Sequence, residues 1–334
     1  MKVIIDCDVG VDDAFAIMLA SLIENVEILA ITITHGNSSL ENCYNNTKLV
    51  LNKLYENRKM EKQPPVYVGA SLPIIGNTHI ENPYFGKDGL VGKANTLYKS
   101  EIEEISRSFS QNLKQEDHAA LKIYNLVNSY PNEITIVCLG PLTNLALAMR
   151  LSHDPRIFSS KISKMVIMGG DEPDNNKHIE QNFLIDPIAA KIVIDEYECP
   201  IVISTFQFTI RTFHKSVELN NLNKLFEEFS SKSTKCKFMH SIGLILNEDN
   251  TIKDYISCDF IAMLVALKED ECQVVYKQYT DCHVDIVNDK GLIKVTDDQI
   301  LMKKQNIKFA IDMNQEAPFE YLVYCIKKMY ESDI

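Results

Sequence analysis

No tryptophan occurs in the 334 residues, arginine occurs five times, and no apolar run exceeds the eight residues from Phe260 to Leu267. Each shortage excludes something. A helix crossing a bilayer needs ~20 apolar residues, so no segment reads as a membrane span. Without an indole, any aromatic stack has to use phenylalanine or tyrosine. Lysine and arginine total 34 against 46 acidic residues, a net charge of −12 with no basic run. Electrostatics therefore oppose binding to a nucleic-acid backbone. Nine cysteines, with no CxxC and no spacing shorter than the ten residues from Cys272 to Cys282, fit neither a disulfide framework nor a zinc ribbon. The eight histidines lack HxH, HxxxH and HExxH spacings, which argues against zinc. Val3-Ile4-Ile5 before Asp6 is too short for a signal-peptide core, so a cytoplasmic location is expected. Asn37-Ser38-Ser39 and Asn45-Asn46-Thr47 then read as chance sequons.

What is present is an alternation of buried strands and helices. Val3 to Ile5 and Val26 to Ile33 read as strands around a helix from about Asp12 to Ile23. The alternation continues with helix Leu40 to Tyr55, strand Pro65 to Val68, helix Ala119 to Val127, strand Ile134 to Leu139 and helix Leu142 to Met149. Met165 to Met168 and Ile201 to Ser204 add strands around a helix starting at Asp186-Pro187. Continuous apolar strands between helices predict a doubly wound, mostly parallel open α/β sheet, Rossmann-like. Ser71 to Lys99, rich in Gly and Pro, reads as a long loop. Val217 to Leu267 reads as a helix-rich insertion, followed by strands at His283 to Val287, Leu292 to Val295 and Ile307 to Ile311 and a terminal helix from Glu320 to Tyr330. With no repeat or linker, residues 1–334 read as a single domain.

The chemistry concentrates where the first strand meets the first helix. Asp6-Cys7-Asp8-Val9-Gly10-Val11-Asp12-Asp13 carries four carboxylates within eight residues. Helix capping accounts for one or two of them. The rest need a compensating charge, and a hard cation with oxygen ligands supplies it. Asp6-x-Asp8 is also the opening of haloacid dehalogenase-like phosphatases, with Asp6 as nucleophile under Mg²⁺, and the Gly170-Asp171-Glu172-Pro173-Asp174 stretch could serve as a later acidic pair. Asp12-Asp13 has no place in that pattern.

Asp6 to Ile17, matching DxDxGxDDxxAI, resembles the N-terminal signature of the inosine-uridine-type nucleoside hydrolases. Gly140-Pro141-Leu142-Thr143-Asn144-Leu145-Ala146, then Glu180-Gln181-Asn182 through Asp186-Pro187-Ile188-Ala189-Ala190, then Cys258-Asp259-Phe260-Ile261-Ala262 follow in the family's order. The resemblance implies Ca²⁺ held by Asp8, Asp13, Asp259 and the backbone carbonyl of Leu139. It implies Asp8 as general base on a calcium-bound water, and ribose hydroxyls gripped by Asp12, Asn37, Glu180, Asn182 and Asp259. The expected reaction is hydrolysis of the N-glycosidic bond of a ribonucleoside through an oxocarbenium-like transition state, in a homodimer or homotetramer. Purine, pyrimidine or both remain open as bases.

Two departures fall on the leaving-base side. Cys258 stands where the family often has a histidine suited to protonating the base, and a thiol is a poorer donor at neutral pH. Phe85, in Tyr84-Phe85-Gly86, takes another histidine position, so Tyr84 and Phe85 are expected to stack on the base. Asp174, Asn175 and Asn176 all offer the 5′-hydroxyl contact, with Asn176 preferred. His79 and His240 fall in the two variable segments that border the base pocket. The alternatives to a hydrolase are the phosphatase above and a ribose- or calcium-binding module without catalysis.

Overall fold

The computed structural model describes residues 1–56, 62–76, 84–109, 113–173, 179–216, 219–243, 257–287, 290–296 and 306–333. The strands are β1 (Lys2–Cys7), β2 (Glu27–Ile33), β3 (Val66–Val68), β4 (Ile134–Cys138), β5 (Lys164–Met168), β6 (Ile201–Ser204), β7 (Val275–Gln278), β8 (Asp281–Val287), β9 (Lys290–Thr296) and β10 (Ile307–Asp312). Eight of them form one sheet in the order β3-β2-β1-β4-β5-β6-β10-β7. All neighbours in it run parallel except the edge strand β7, which is antiparallel to β10. This is the mostly parallel α/β sheet the alternation predicts.

The β-branched runs fill strands covered on both faces. Val3, Ile5 and Cys7 of β1 enter one apolar core and Ile4 the other, as the two-residue period of a strand requires. The first core also takes helices Val11–Leu22, Leu40–Tyr55, Cys258–Leu267 and Ala317–Glu331; the second takes Ala119–Ser129, Thr143–Arg150 and Pro187–Glu196. The eight-residue apolar run lies in helix Cys258–Leu267, buried on every side against helix Val11–Leu22. An apolar helix of that length belongs in a core, not a bilayer. Among the described residues no helix is long and apolar enough to cross a membrane.

Three features depart from expectation. A helix, Lys99–Phe109, begins where the glycine-rich loop ends and buries only Ile105. β7 carries one partly buried residue among exposed ones, so it lacks the apolar signal of a central strand. The strands at 281–296 leave the main sheet and pair with each other as a hairpin, β8 with β9. Cys282, Val284 and Ile293 of that hairpin join the second core.

For function, the decisive feature is the strand order. Going from β1 the chain first builds outward through β2 and β3, then returns to place β4 on β1's other side. The carboxyl ends of β1 and β4 flank this reversal, and such a switch point is where open α/β sheets hold ligands.

Candidate active site

Asp8 leaves β1 at that switch point, 2% exposed. Its Oδ2 accepts the backbone N–H of Asn37 at 2.6 Å, while Oδ1 is buried with no hydrogen-bond partner among the described residues. Glycines make the room: a Cβ on Gly36 would lie 1.9 Å from Oδ2, and one on Gly140 would lie 2.7 Å from Oδ1. His35-Gly36-Asn37 and Gly140-Pro141 are thus the two walls of the Asp8 slot, one after β2 and one after β4.

The turn that follows brings in two more carboxylates. Asp13 Oδ2 accepts the Gly10 N–H at 2.8 Å and the Asn37 side-chain amide at 3.1 Å. Asp13, at the third helical position, thus holds the N–H of the N-cap Gly10, the reciprocal half of a capping box. Among the described residues Asp12 Oδ1 and Asp13 Oδ1, like Asp8 Oδ1, are buried without a hydrogen-bond partner. Asp259 approaches from the first turn of helix Cys258–Leu267. Asp12, Asp13 and Asp259 each offer an oxygen, all within 4.8 Å of one another. Asp8 stands outside that trio, yet its charge acts on Asp259 and is acted on by Asp13 and Asp12.

Burial raises all four acids, and repulsion from neighbouring acids adds to it at Asp8, Asp12 and Asp259. Desolvation pushes Asp8, Asp12 and Asp259 well above the usual carboxylate range, and the neighbouring aspartates push further. Asp13 rises to about 6, desolvation being opposed by the Gly10 N–H. Orphaned anionic oxygens converging in a buried turn are costly unless a cation or protons compensate them. The donor set is all oxygen, which suits a hard divalent ion. The Leu139 carbonyl ends β4 beside this cluster and accepts Asn182 Nδ2 at 2.8 Å.

Glu180 and Asn182 arrive on the short helix Gln181–Ile185. Glu180 is its N-cap: Oε1 accepts from Asn182 N at 2.7 Å, and Oε2 from Phe183 N at 3.1 Å and Gly170 N at 3.0 Å. Even so, desolvation lifts Glu180 to about 7. Asn182 Nδ2 also reaches the Met168 carbonyl at 3.2 Å, so this side chain ties the ends of β4 and β5 together. Phe85 is 5% exposed and lies beside Asn37 over Gly10, where a Cβ would meet its ring at 3.0 Å. Tyr84 packs edge-on against it, 5.0 Å between centroids.

Cys258 opens its helix buried, with the Thr209 hydroxyl 3.0 Å from its sulfur. Desolvation and then Asp12 drive its thiol far above the ordinary range, with Glu180 adding to the effect. His240 lies in helix Thr234–Gly243, stacked on Phe226 at 5.6 Å. Asn176 and His79 lie outside the described residues. Asp6, the nucleophile of the phosphatase alternative, is fully buried; its Oδ1 accepts from Thr32 Oγ1 at 2.6 Å and Asn144 Nδ2 at 2.9 Å. Asp6 joins β1 to β2 and to the Gly140–Ala146 motif, a structural use that explains its presence without a substrate. Asp171, which the phosphatase alternative offered as part of a later acidic pair, instead accepts from the Glu180 N–H and from Gln207; neither Gln207 nor Thr209 is marked by the sequence. A threonine on an amphipathic helix and a lone glutamine carry no pattern that would mark them.

An open α/β sheet with an all-oxygen acidic cluster at its switch point defines the class: a parallel α/β fold with buried carboxylates gathered where such sheets hold ligands. Within that class the assignment is specific. The family model for inosine-uridine preferring nucleoside hydrolases matches residues 3–320, and the chain belongs to that family. It is 33% identical over 213 residues to the pyrimidine-specific ribonucleoside hydrolase RihB of Escherichia coli O1:K1, across 63% of this chain and 61% of that protein. The chain thus aligns with about three fifths of the curated relative's length. Among solved structures, an inosine-guanosine nucleoside hydrolase superposes with a TM-score of 0.79 at 25% identity over 98% of both chains. A purine-preferring ribonucleoside hydrolase from Gardnerella vaginalis, 19% identical, gives 0.78 over 99% of both and shares the fold.

Proposed function

We propose that this chain hydrolyses the N-glycosidic bond of ribonucleosides, releasing free base and ribose, with Ca²⁺ as its cation. The observation that carries the reading is the close trio of Asp12, Asp13 and Asp259, with oxygens of Asp8, Asp12 and Asp13 that have no hydrogen-bond partner among the described residues, at the β1–β4 switch point. Ca²⁺ held by Asp8, Asp13, Asp259 and the Leu139 carbonyl would offset their repulsion, take ribose hydroxyls and acidify a water.

The chain's own groups supply the rest. Asp8 is the general base. Its Oδ2 is pinned by Asn37 N–H, which leaves Oδ1 to accept the proton of the attacking water. The surrounding negative charge favours the cationic, oxocarbenium-like sugar over the neutral ground state. Asp12, Asn37, Glu180, Asn182 and Asp259 hold the ribose hydroxyls. Because Asn182 Nδ2 is committed to the Leu139 and Met168 carbonyls, it meets a hydroxyl through Oδ1, as acceptor. Glu180 is fixed by three backbone N–H groups before substrate arrives, so little ordering remains to be done on binding. Asn176 is assigned the 5′-hydroxyl. Phe85, with Tyr84 behind it, stacks on the base and polarises it, and solvent rather than Cys258 delivers most of the proton to the leaving group.

The named relatives divide between pyrimidine and purine nucleosides, so the base is left to experiment. Inosine, adenosine, guanosine, uridine and cytidine incubated with the Ca²⁺-loaded protein should yield free base and ribose from at least one of them. Inorganic phosphate from phosphate esters would support the phosphatase, and binding without turnover would support a module without catalysis. A homodimer or homotetramer, cytoplasmic in location, completes the reading; light scattering checks the assembly.

A further inference from the structure

Helix Phe206–Ser216 packs against helix Cys258–Leu267, and at their contact Thr209 and Cys258 form a buried polar pair. Thr209 Oγ1 lies 2.9 Å from the Phe206 carbonyl oxygen, one turn back in its own helix, and 3.0 Å from Cys258 Sγ. A hydroxyl has one proton to give. A carbonyl oxygen accepts it far better than sulfur does, so the proton goes to Phe206 and the lone pairs of Oγ1 face the sulfur. Two acceptors facing each other in a dry site repel. The contact is favourable when the thiol is the donor, its S–H directed at Thr209 Oγ1.

The other course open to that S–H is toward Asp12, whose carboxylate lies within 4.8 Å of that of Asp259, the residue after Cys258, and is assigned to ribose. A thiol donating to that carboxylate would occupy a lone pair that a sugar hydroxyl needs.

We propose that Thr209 is a positioning residue: it captures the Cys258 S–H and so keeps the Asp12 carboxylate clear for the sugar. This rests on the ribose assignment above. It makes Cys258 a residue whose proton must be held out of the site, and Thr209 the group that holds it. Removing the hydroxyl lets the thiol turn onto a carboxylate in the free enzyme. A nucleoside must then displace that hydrogen bond, which raises KM and leaves kcat almost untouched.

The test uses Thr209→Val, which keeps the shape and deletes the hydroxyl, Thr209→Ser, which keeps the hydroxyl, Cys258→Ala, and the Thr209→Val/Cys258→Ala pair. The infrared S–H stretching band of Cys258 is isolated by subtracting the Cys258→Ala spectrum. It should shift in Thr209→Val and stay in place in Thr209→Ser. KM for the preferred nucleoside should rise about three- to tenfold in Thr209→Val, the range one hydrogen bond supplies. In the double variant it should return to the Cys258→Ala value, since no S–H is left to intrude. A band unmoved by Thr209→Val, or a KM that stays raised in the double variant, overturns the proposal. A wild-type chain that releases base from no nucleoside refutes the proposed function instead, and the infrared comparison still decides whether Thr209 holds the thiol.

Discussion

The sugar side and the base side of the proposed site are built differently. The sugar side rests partly on strand ends, with Asp8 after β1, Gly36 and Asn37 after β2 and Leu139 after β4, and partly on helix starts, with Asp12, Glu180, Asn182 and Asp259. Asn182 ties its short helix to the ends of β4 and β5. The base side rests on Phe85 in a turn and Cys258 at a helix N-terminus. A rigid frame suits a ligand part that never changes, the ribose. Loops suit the part that varies among relatives whose names span pyrimidine, purine and inosine-guanosine preferences. The chemistry should therefore be fragile on one side and tolerant on the other.

The largest expected effect is on the sugar. Buried partners left without their hydroxyl discriminate by up to ~10⁴–10⁵-fold, so 2′-deoxyinosine and 2′-deoxyuridine should turn over slower than their ribo forms by at least ~10³-fold. Equal rates would remove Asp12, Glu180 and Asn182 from the sugar. Next comes Asp8→Asn, which deletes the base and one ligand. Loss of a positioned base costs roughly 10²–10⁴-fold, and weakened metal binding adds to it; a variant keeping a tenth of the rate would sink the mechanism. Asp6→Asn should hurt less than Asp8→Asn, the reverse of a phosphatase.

The acids also predict a pH signature. Asp13 and Glu180 hold protons in the folded chain up to about 6 and about 7, above their unfolded values. The stability this lends is complete at low pH and is lost as pH rises through 6 to 7. In chelator the melting temperature should accordingly fall between pH 5 and 8. Calcium bound as proposed would displace the Asp13 proton, so the rise in melting temperature it causes should grow over the same window. Calorimetry showing a calcium effect that shrinks toward pH 8 would contradict this.

The smallest effects belong to the base side. Phe85→Leu should cost about tenfold or less, chiefly in KM, because one ring stack is worth ~0.5–1.5 kcal/mol. Cys258→Ala should slow inosine and p-nitrophenyl riboside alike. A loss beyond ~10³-fold on inosine alone, the nitrophenyl substrate being spared, would make the thiol the acid.

The same contrast governs how much could be read beforehand. The parallel sheet and the acidic turn are written locally, in Val3-Ile4-Ile5, in Ile134 to Leu139 and in the spacing from Asp6 to Asp13. Local patterns reach only as far as local forces do. Helix Lys99–Phe109 carries only a narrow apolar stripe, Ile102, Ile105 and Phe109, easily lost beside a Gly- and Pro-rich loop, and β7 is an exposed edge with no apolar period. The difference between the expected ligand set and the trio of Asp12, Asp13 and Asp259 is likewise a matter of side-chain direction, which spacing does not convey. The Thr209–Cys258 contact joins positions on two helices and depends entirely on their packing.

Asp13 and Asp259 lie roughly 250 residues apart along the chain yet share one buried cluster. Closing a loop of that length is slow, because its entropy must be spent before the contact returns anything. During synthesis the first three acids emerge early, with β1 and its helix, and the fourth waits for helix Cys258–Leu267. Until that helix docks along Val11–Leu22, the amino-terminal turn is an incomplete chelate with a bare apolar flank. The acidic cluster and the docking of this helix into the first core must therefore form in the same folding step, and a cation bound there as proposed would slow unfolding by joining the amino-terminal turn to helix Cys258–Leu267.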